Sequence, residues 1–265
     1  VIGVTKSVAD DLRHWSESST IRKMPALQVD WSHHGADLIA SAPSQGLPSD
    51  SRSIISMLGL RPTFLMVGTI EPRKGHMQVI AAFEHLWQQD MDINLVVVGK
   101  EGWQGLPDEM RRTIPRIVDI LRHHPELGNH LFWLEGISDE YLEKIYAAST
   151  CLIAASEGEG FGLPLIEAAQ HRLPIIARDI PVFREVARKH AFYFKGMDPK
   201  DLEIGIKKWI SLYEQGQHQK SEVMPWLTWG QSVEILKNIL FKHTETWRMK
   251  LEKQILIDGK NFFVS

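Results

Sequence analysis

One cysteine, Cys151, stands in 265 residues. No disulfide can form within the chain, which excludes a disulfide scaffold and makes a reducing cytosol the expected compartment. No apolar run approaches the ~20 residues of a membrane-spanning helix. The longest are strand-sized, such as Leu95-Val96-Val97-Val98. Neither sign of charge dominates: 30 Lys and Arg face 33 Asp and Glu, a formal net charge of −3. The basic excess of a dedicated nucleic-acid binder is therefore missing. There is no internal repeat and no low-complexity tract. The 12 histidines form no metal signature. His33-His34 and His123-His124 are adjacent pairs, and no His-x-x-x-His pair or Cys/His cluster accompanies them, so no metal is expected.

What is present is an alternation. Apolar strand runs at 1–5, 26–29, 63–67, 93–98, 131–134, 151–154, 174–177 and 191–194 are separated by helical periods near 7–16, 76–90, 108–123, 138–148, 164–171, 181–188, 199–215 and 229–243. The strands are short, apolar on both faces and rich in Val, Ile and Leu, as in a parallel sheet covered on both sides. The pattern predicts an α/β fold with a doubly wound, Rossmann-like parallel sheet. In such folds ligands bind beyond the carboxyl ends of the strands, at helix N-termini. Segment 41–53, rich in Ser and Pro, reads as a loop or hinge. Residue 1 is Val within a strand pattern already under way, so the chain reads as a piece of a longer protein whose front half is missing.

Three strand-to-helix turns carry chemistry. In Val67-Gly68-Thr69-Ile70-Glu71-Pro72-Arg73-Lys74-Gly75-His76, two cations precede a helix N-terminus, a setting for phosphate or simply a solvated basic turn. In Val98-Gly99-Lys100-Glu101-Gly102-Trp103, glycine follows a buried strand, for close ligand approach or for packing alone, and Lys100 reads as solvated. The richest is Ser156-Glu157-Gly158-Glu159-Gly160-Phe161-Gly162-Leu163-Pro164-Leu165-Ile166-Glu167. Pro164 suits the first helical turn. Glu159 then lies in the loop and Glu167 about one turn into the helix, both able to face one cleft, with exposed N–H groups of Phe161, Gly162 and Leu163 between them. Carboxylates can accept hydroxyl hydrogens, and N–H groups and cations can hold a diphosphate, as a sugar nucleotide requires.

Segment 157–167 resembles the Glu-x7-Glu signature of retaining GT-B glycosyltransferases of the family 4 group. The resemblance continues at 67–75, at His34-Gly35-Ala36-Asp37, at Gly136-Ile137-Ser138-Asp139-Glu140, at Leu173–Ala177 and at Pro181–Val186. It covers nearly the whole chain to about Phe241. It implies the end of an N-terminal domain and a junction over 1–35, a C-terminal nucleotide-sugar-binding domain over 36–243 and a helical or linker tail over 244–265. It also implies that Glu167 holds the donor ribose, with Gly160, Phe161, Gly162, Leu163, Gly68 and Thr69 around the nucleotide sugar. Glu159 would contact the transferred sugar without acting as a nucleophile, while Arg73 and Lys74 bind the diphosphate and stabilise the leaving nucleotide.

The run resembles bacterial surface-polysaccharide mannosyltransferases most, so GDP-mannose is the expected donor and a UDP-sugar the alternative. The acceptor would be an oligosaccharide or a lipid-linked glycan. No metal enters, and the missing N-terminal domain would supply most of the acceptor site, leaving this part alone inactive. A non-catalytic module of a larger transferase and a sugar-phosphate-using phosphorylase are the other readings. The resemblance implies a cytoplasmic enzyme, held at the inner membrane face through other parts of the protein. Two departures stand out: Thr69 replaces the usual Arg after the glycine, and Arg172 replaces a small residue before Pro174.

Among other features, His76 reads as a solvated helix start. Trp209, Trp226 and Trp229 read as packing groups. Trp103 is the best aromatic candidate for contact with base or sugar. The apolar face of 229–243 predicts a helix docked on the sheet.

Overall fold

Runs of Val, Leu, Ile and Phe that are apolar on both faces can be stable only when covered on both sides, and the computed structural model covers them so. It describes residues 1–18, 27–37 and 46–242. The chain divides into two compact units, 1–37 with 226–265, and 38–225. In the first, β1 (Ile2–Gly3) pairs in parallel with β2 (Asp30–Trp31), joined through α1 (Lys6–Ser18). Its last element among the described residues is a helix over 229–242.

The second unit runs α2 (Ser51–Leu58), β3 (Thr63–Val67), α3 (His76–Trp87), β4 (Asn94–Val98), α4 (Ile114–His123), β5 (Leu131–Leu134), α5 (Asp139–Ala148), β6 (Cys151–Ala154), α6 (Leu163–Gln170), β7 (Ile175–Arg178), α7 (Pro181–Ala187), β8 (Phe192–Phe194) and α8 (Pro199–Glu214). Its six strands form one parallel sheet in the order β5-β4-β3-β6-β7-β8. All of β4 is buried, as its unbroken apolar run requires. Helix α3 packs against α8, and α2 against α5. Trp209 of α8 and Phe83 of α3 each meet Phe64 of β3 edge-on at 5.6 Å, a geometry that suits the ring quadrupoles.

Several expectations need correction. The second strand lies at Asp30–Trp31, not 26–29, and the first ends at Gly3. The period at 108–123 is broken: a short 3-10 turn at Asp108–Met110 precedes α4, because Arg112 takes a positive φ and Pro115 favours a helix start beside it. Helix α2 begins inside the segment read as a loop, whose residues 41–45 lie outside the described residues. The helix over 229–242 belongs to the first unit, where Ser232 Oγ donates to the His33 carbonyl and Trp229 N–H to Asp37. Trp226 and Trp229 are only partly covered, Trp229 packing against His34 and Gly35, whereas Trp209 is fully buried. The tail at 244–265 lies outside the described residues.

Helix α5 deserves one test because of what it carries into the cleft. The side chain of its N-cap Ser138 accepts from Tyr141 N–H at 3.2 Å, a donor that the Ser138 carbonyl shares at 3.1 Å. Ser138→Ala should cost about 1 kcal/mol of unfolding free energy, measured by urea denaturation at constant m-value.

Candidate functional site

The strand order reverses direction between β3 and β6. This is the topological switch point of the sheet, where the loops leaving two adjacent strands part and open a crevice. A small cavity sits there, bordered by Met66, Lys74, Ser156, Glu159, Gly162 and Phe183 among others. The two loops flanking it are the two richest turns of the sequence.

The turn after β3 closes tightly. Pro72–Lys74 form a 3-10 turn, and Gly75 takes φ 80° before α3 begins. A Cβ at Gly75 would lie 2.3 Å from the Ala155 carbonyl oxygen, so only glycine lets the β3 turn press against the end of β6. That closeness brings the cations to the opposite loop. Arg73 Nη1 donates to Glu159 at 2.6 Å and to the Gly158 carbonyl at 3.1 Å. Lys74 Nζ reaches both carboxylate oxygens of Glu159, at 2.9 and 3.0 Å. Arg73 Nε also pairs with Glu71 at 3.1 Å. Lys74 and Glu159 are largely buried and Arg73 is half exposed. The predicted cations and the predicted loop carboxylate thus form one cluster, linked across more than 80 residues of sequence.

Glu167 is not part of that cluster. Its carboxylate accepts from the Tyr146 hydroxyl at 2.6 Å, and the Tyr146 ring stacks on His171 at 5.0 Å. Burial pushes the Glu167 carboxyl above the ordinary carboxylate range. The Tyr146 hydrogen bond opposes this, and the Asp139 charge adds to it. Burial and the Glu167 charge likewise push the Tyr146 hydroxyl well up. A carboxyl raised on folding contributes stability below its ordinary value that is lost as pH rises through the folded one. Glu167→Gln keeps an acceptor for Tyr146 and removes the buried charge. It should therefore raise the melting temperature at pH 7, with the gap to wild type closing toward pH 4. Equal melting curves at pH 7 would contradict this.

The glycine-rich loop is packed more closely than expected. Phe161 and Gly162 are buried, and of the three residues between the carboxylates only Leu163 stands exposed. Gly162, at φ 89°, is the N-cap of α6, and no side chain caps that helix among the described residues. A Cβ there would meet Phe183 at 2.9 Å. Gly160 is exposed in the same loop, Gly68 lies beside the Lys74 side chain, and Thr69 is exposed. Gly99 is a packing glycine: a Cβ would lie 2.0 Å from the Gly68 carbonyl oxygen. Lys100 is exposed. His76 is not solvated. It is 1% exposed, and burial, with Lys74 nearby and the Glu71 backbone opposing, holds its pKa down to about 3. Arg172 sits at φ 56°, which explains why a small residue suits that position.

Two residues escaped the sequence reading. Tyr146 lies on a helix face that reads as plain packing, 21 residues from its partner. Arg178, at the end of β7, is buried and donates to the carbonyls of Ala155 and Gly196 and to Gln78. It fixes the backbone from which the Glu159 loop departs. A buried strand-end arginine is its one sequence signal.

Comparison with known proteins gives a consistent result. The model of the family "Glycosyl transferases group 1" matches residues 57–223. The chain is 49% identical over 242 residues to the serotype-specific mannosyltransferase WbdA of Escherichia coli, covering 90% of this chain and 29% of that protein. It is 31% identical over 144 residues to the O-antigen chain mannosyltransferase RfbU of Salmonella typhimurium, covering 54% of this chain and 37% of that one. The chain thus spans under a third of the length of WbdA. Among solved structures, a glycosyltransferase from Rickettsia africae superposes with a TM-score of 0.64 at 20% identity, over 91% of this chain and 63% of that one. Anabaena HepE in complex with UDP and glucose gives 0.65 at 16%, over 91% and 62%. These likenesses establish the GT-B fold.

Proposed function

The chain belongs to the glycosyl transferases group 1 family, and from that premise we propose that it is the donor-binding part of a retaining mannosyltransferase that uses GDP-mannose. The observation that carries this reading is the Arg73–Lys74–Glu159 cluster at the switch point of the sheet. A nucleoside diphosphate sugar needs cations where the leaving phosphate gathers charge, and hydroxyl acceptors on either side of them. Arg73 and Lys74 bind the diphosphate, assisted by the uncapped N-terminus of α6. Glu159, which orients both cations, meets the hydroxyls of the transferred sugar. Glu167, held by Tyr146, accepts from the ribose. Fixed side-chain cations supply the charge stabilisation, so no metal is required.

The acceptor is a growing surface polysaccharide, by analogy with the WbdA and RfbU mannosyltransferases. An N-terminal domain outside this chain completes its site. The test is transfer by the full-length protein from GDP-mannose to a mannose-terminated oligosaccharide, with the product read by NMR. The expected product carries an α-mannosyl unit, with the donor configuration kept. Turnover of a UDP-sugar in place of GDP-mannose would overturn the donor assignment. Use of inorganic phosphate with no nucleotide preference would replace the reading by a phosphorylase.

A further inference from the structure

A second cleft, about 510 Å³ and open to solvent, shares no lining residue with the switch-point cavity. Its walls include Pro72, Arg73, Gln78, Arg112, Glu157 and Met197. Arg73 joins the two sites, because it borders this cleft while holding Glu159. At the rim the Arg112 guanidinium lies 6.0 Å from the centre of the Trp103 ring.

Both rim residues are held in an unusual backbone. Trp103 has φ 50° and Arg112 φ 54°. Bulky side chains adopt this left-handed region only where their surroundings hold them there. The holding group is Arg111, a buried guanidinium that donates to Glu101 and Asp108. Gly102 seats the loop on the β3 turn, since a Cβ there would lie 2.6 Å from the Ile70 carbonyl oxygen. The result is a large aromatic ring, 38% exposed, fixed beside a largely apolar cleft that carries a few charged groups.

That combination selects a ligand class. A planar indole offers an apolar face with no charge requirement. The cleft offers charges of both signs, Arg73 and Arg112 against the exposed Glu157. Charges of both signs suit a ligand that can both donate and accept. A neutral, hydroxyl-rich one can donate to the carboxylate and accept from the guanidiniums. Its volume lies within the ~300–1,000 Å³ of small-molecule sites, enough for more than one ring unit.

We infer that this cleft binds a neutral saccharide, stacked on Trp103, and that it holds part of the chain receiving the transferred sugar. The acceptor role rests on the proposed transferase reading; the saccharide site does not. The test is calorimetric titration of this chain with linear mannopentaose, and in parallel with GDP. Saturable mannopentaose binding is expected, with Trp103→Ala weakening it by about tenfold or more, Trp103→Phe retaining most of it, and both keeping GDP affinity within about twofold.

Absence of mannopentaose binding in wild type that binds GDP would overturn the inference and leave the donor reading intact. So would an unchanged affinity in Trp103→Ala. Binding that depends on Trp103 in a chain that binds no GDP would support the saccharide site and bring down the donor reading. If Trp103→Ala fails to fold, Arg112→Ala decides: a tenfold loss supports the site and an unchanged affinity overturns it.

Discussion

Lys74→Ala should lower the turnover of glycosyl transfer by about 10²–10³-fold, the usual consequence of removing a fixed group aimed at charge that develops in the transition state. Lys74 is the better buried of the two cations and grips both oxygens of Glu159. As the bond to the sugar breaks, negative charge collects on the leaving diphosphate. A cation already positioned in a largely dry crevice stabilises that charge without reorganising. The loss should fall mainly on kcat, because Arg73 and the N-terminus of α6 remain to bind the ground-state donor. Lys74→Arg should recover only part of the rate, since a longer, planar guanidinium spreads its charge and cannot place it at the point the compact ammonium occupies. Initial rates of nucleotide release, measured at saturating donor, check this. A loss below about tenfold would remove Lys74 from the charge-stabilising role.

Glu167→Ala should weaken nucleoside diphosphate binding by about 1.5–3 kcal/mol, a ten- to hundredfold rise in Kd. The substitution removes a charged acceptor that Tyr146 holds in one orientation. The ribose assignment makes a sharper demand. GDP and its 2′,3′-dideoxy form should differ in affinity for wild type and be nearly equal for Glu167→Ala, because the interaction is missing from one side or the other of the cycle. Additive losses would mean that Glu167 acts on another part of the nucleotide.

The sheet was legible because its signals are local. Strands such as Leu95–Val98 announce double-sided burial by being apolar without interruption, and glycines with Pro164 announce the turns between strand and helix. The positions of Arg73, Lys74 and Glu159 at strand ends followed from the same alternation. That they bind one another did not, because contact between them depends on β3 lying beside β6, a fact of strand order. Tyr146 was hidden for the same reason: nothing in its own helix marks it, and its role comes from the crossover that lays α5 beside α6. Helix α2 was hidden by composition, its apolar Ile54, Ile55 and Leu58 following a stretch dominated by Ser and Pro. His76 was misread because a polar residue at a helix start is ordinarily wet, and here the close approach of Gly75 to Ala155 accompanies its burial.

The central claim is that the crevice between β3 and β6 receives a nucleoside diphosphate. The most direct measurement is an amide-resolved NMR titration of this chain with GDP. The account predicts one saturable site, with the largest shifts at 68–75 and 156–167 and little change along α8. Shifts concentrated elsewhere on the chain, or none at millimolar GDP, UDP and ADP, would contradict it.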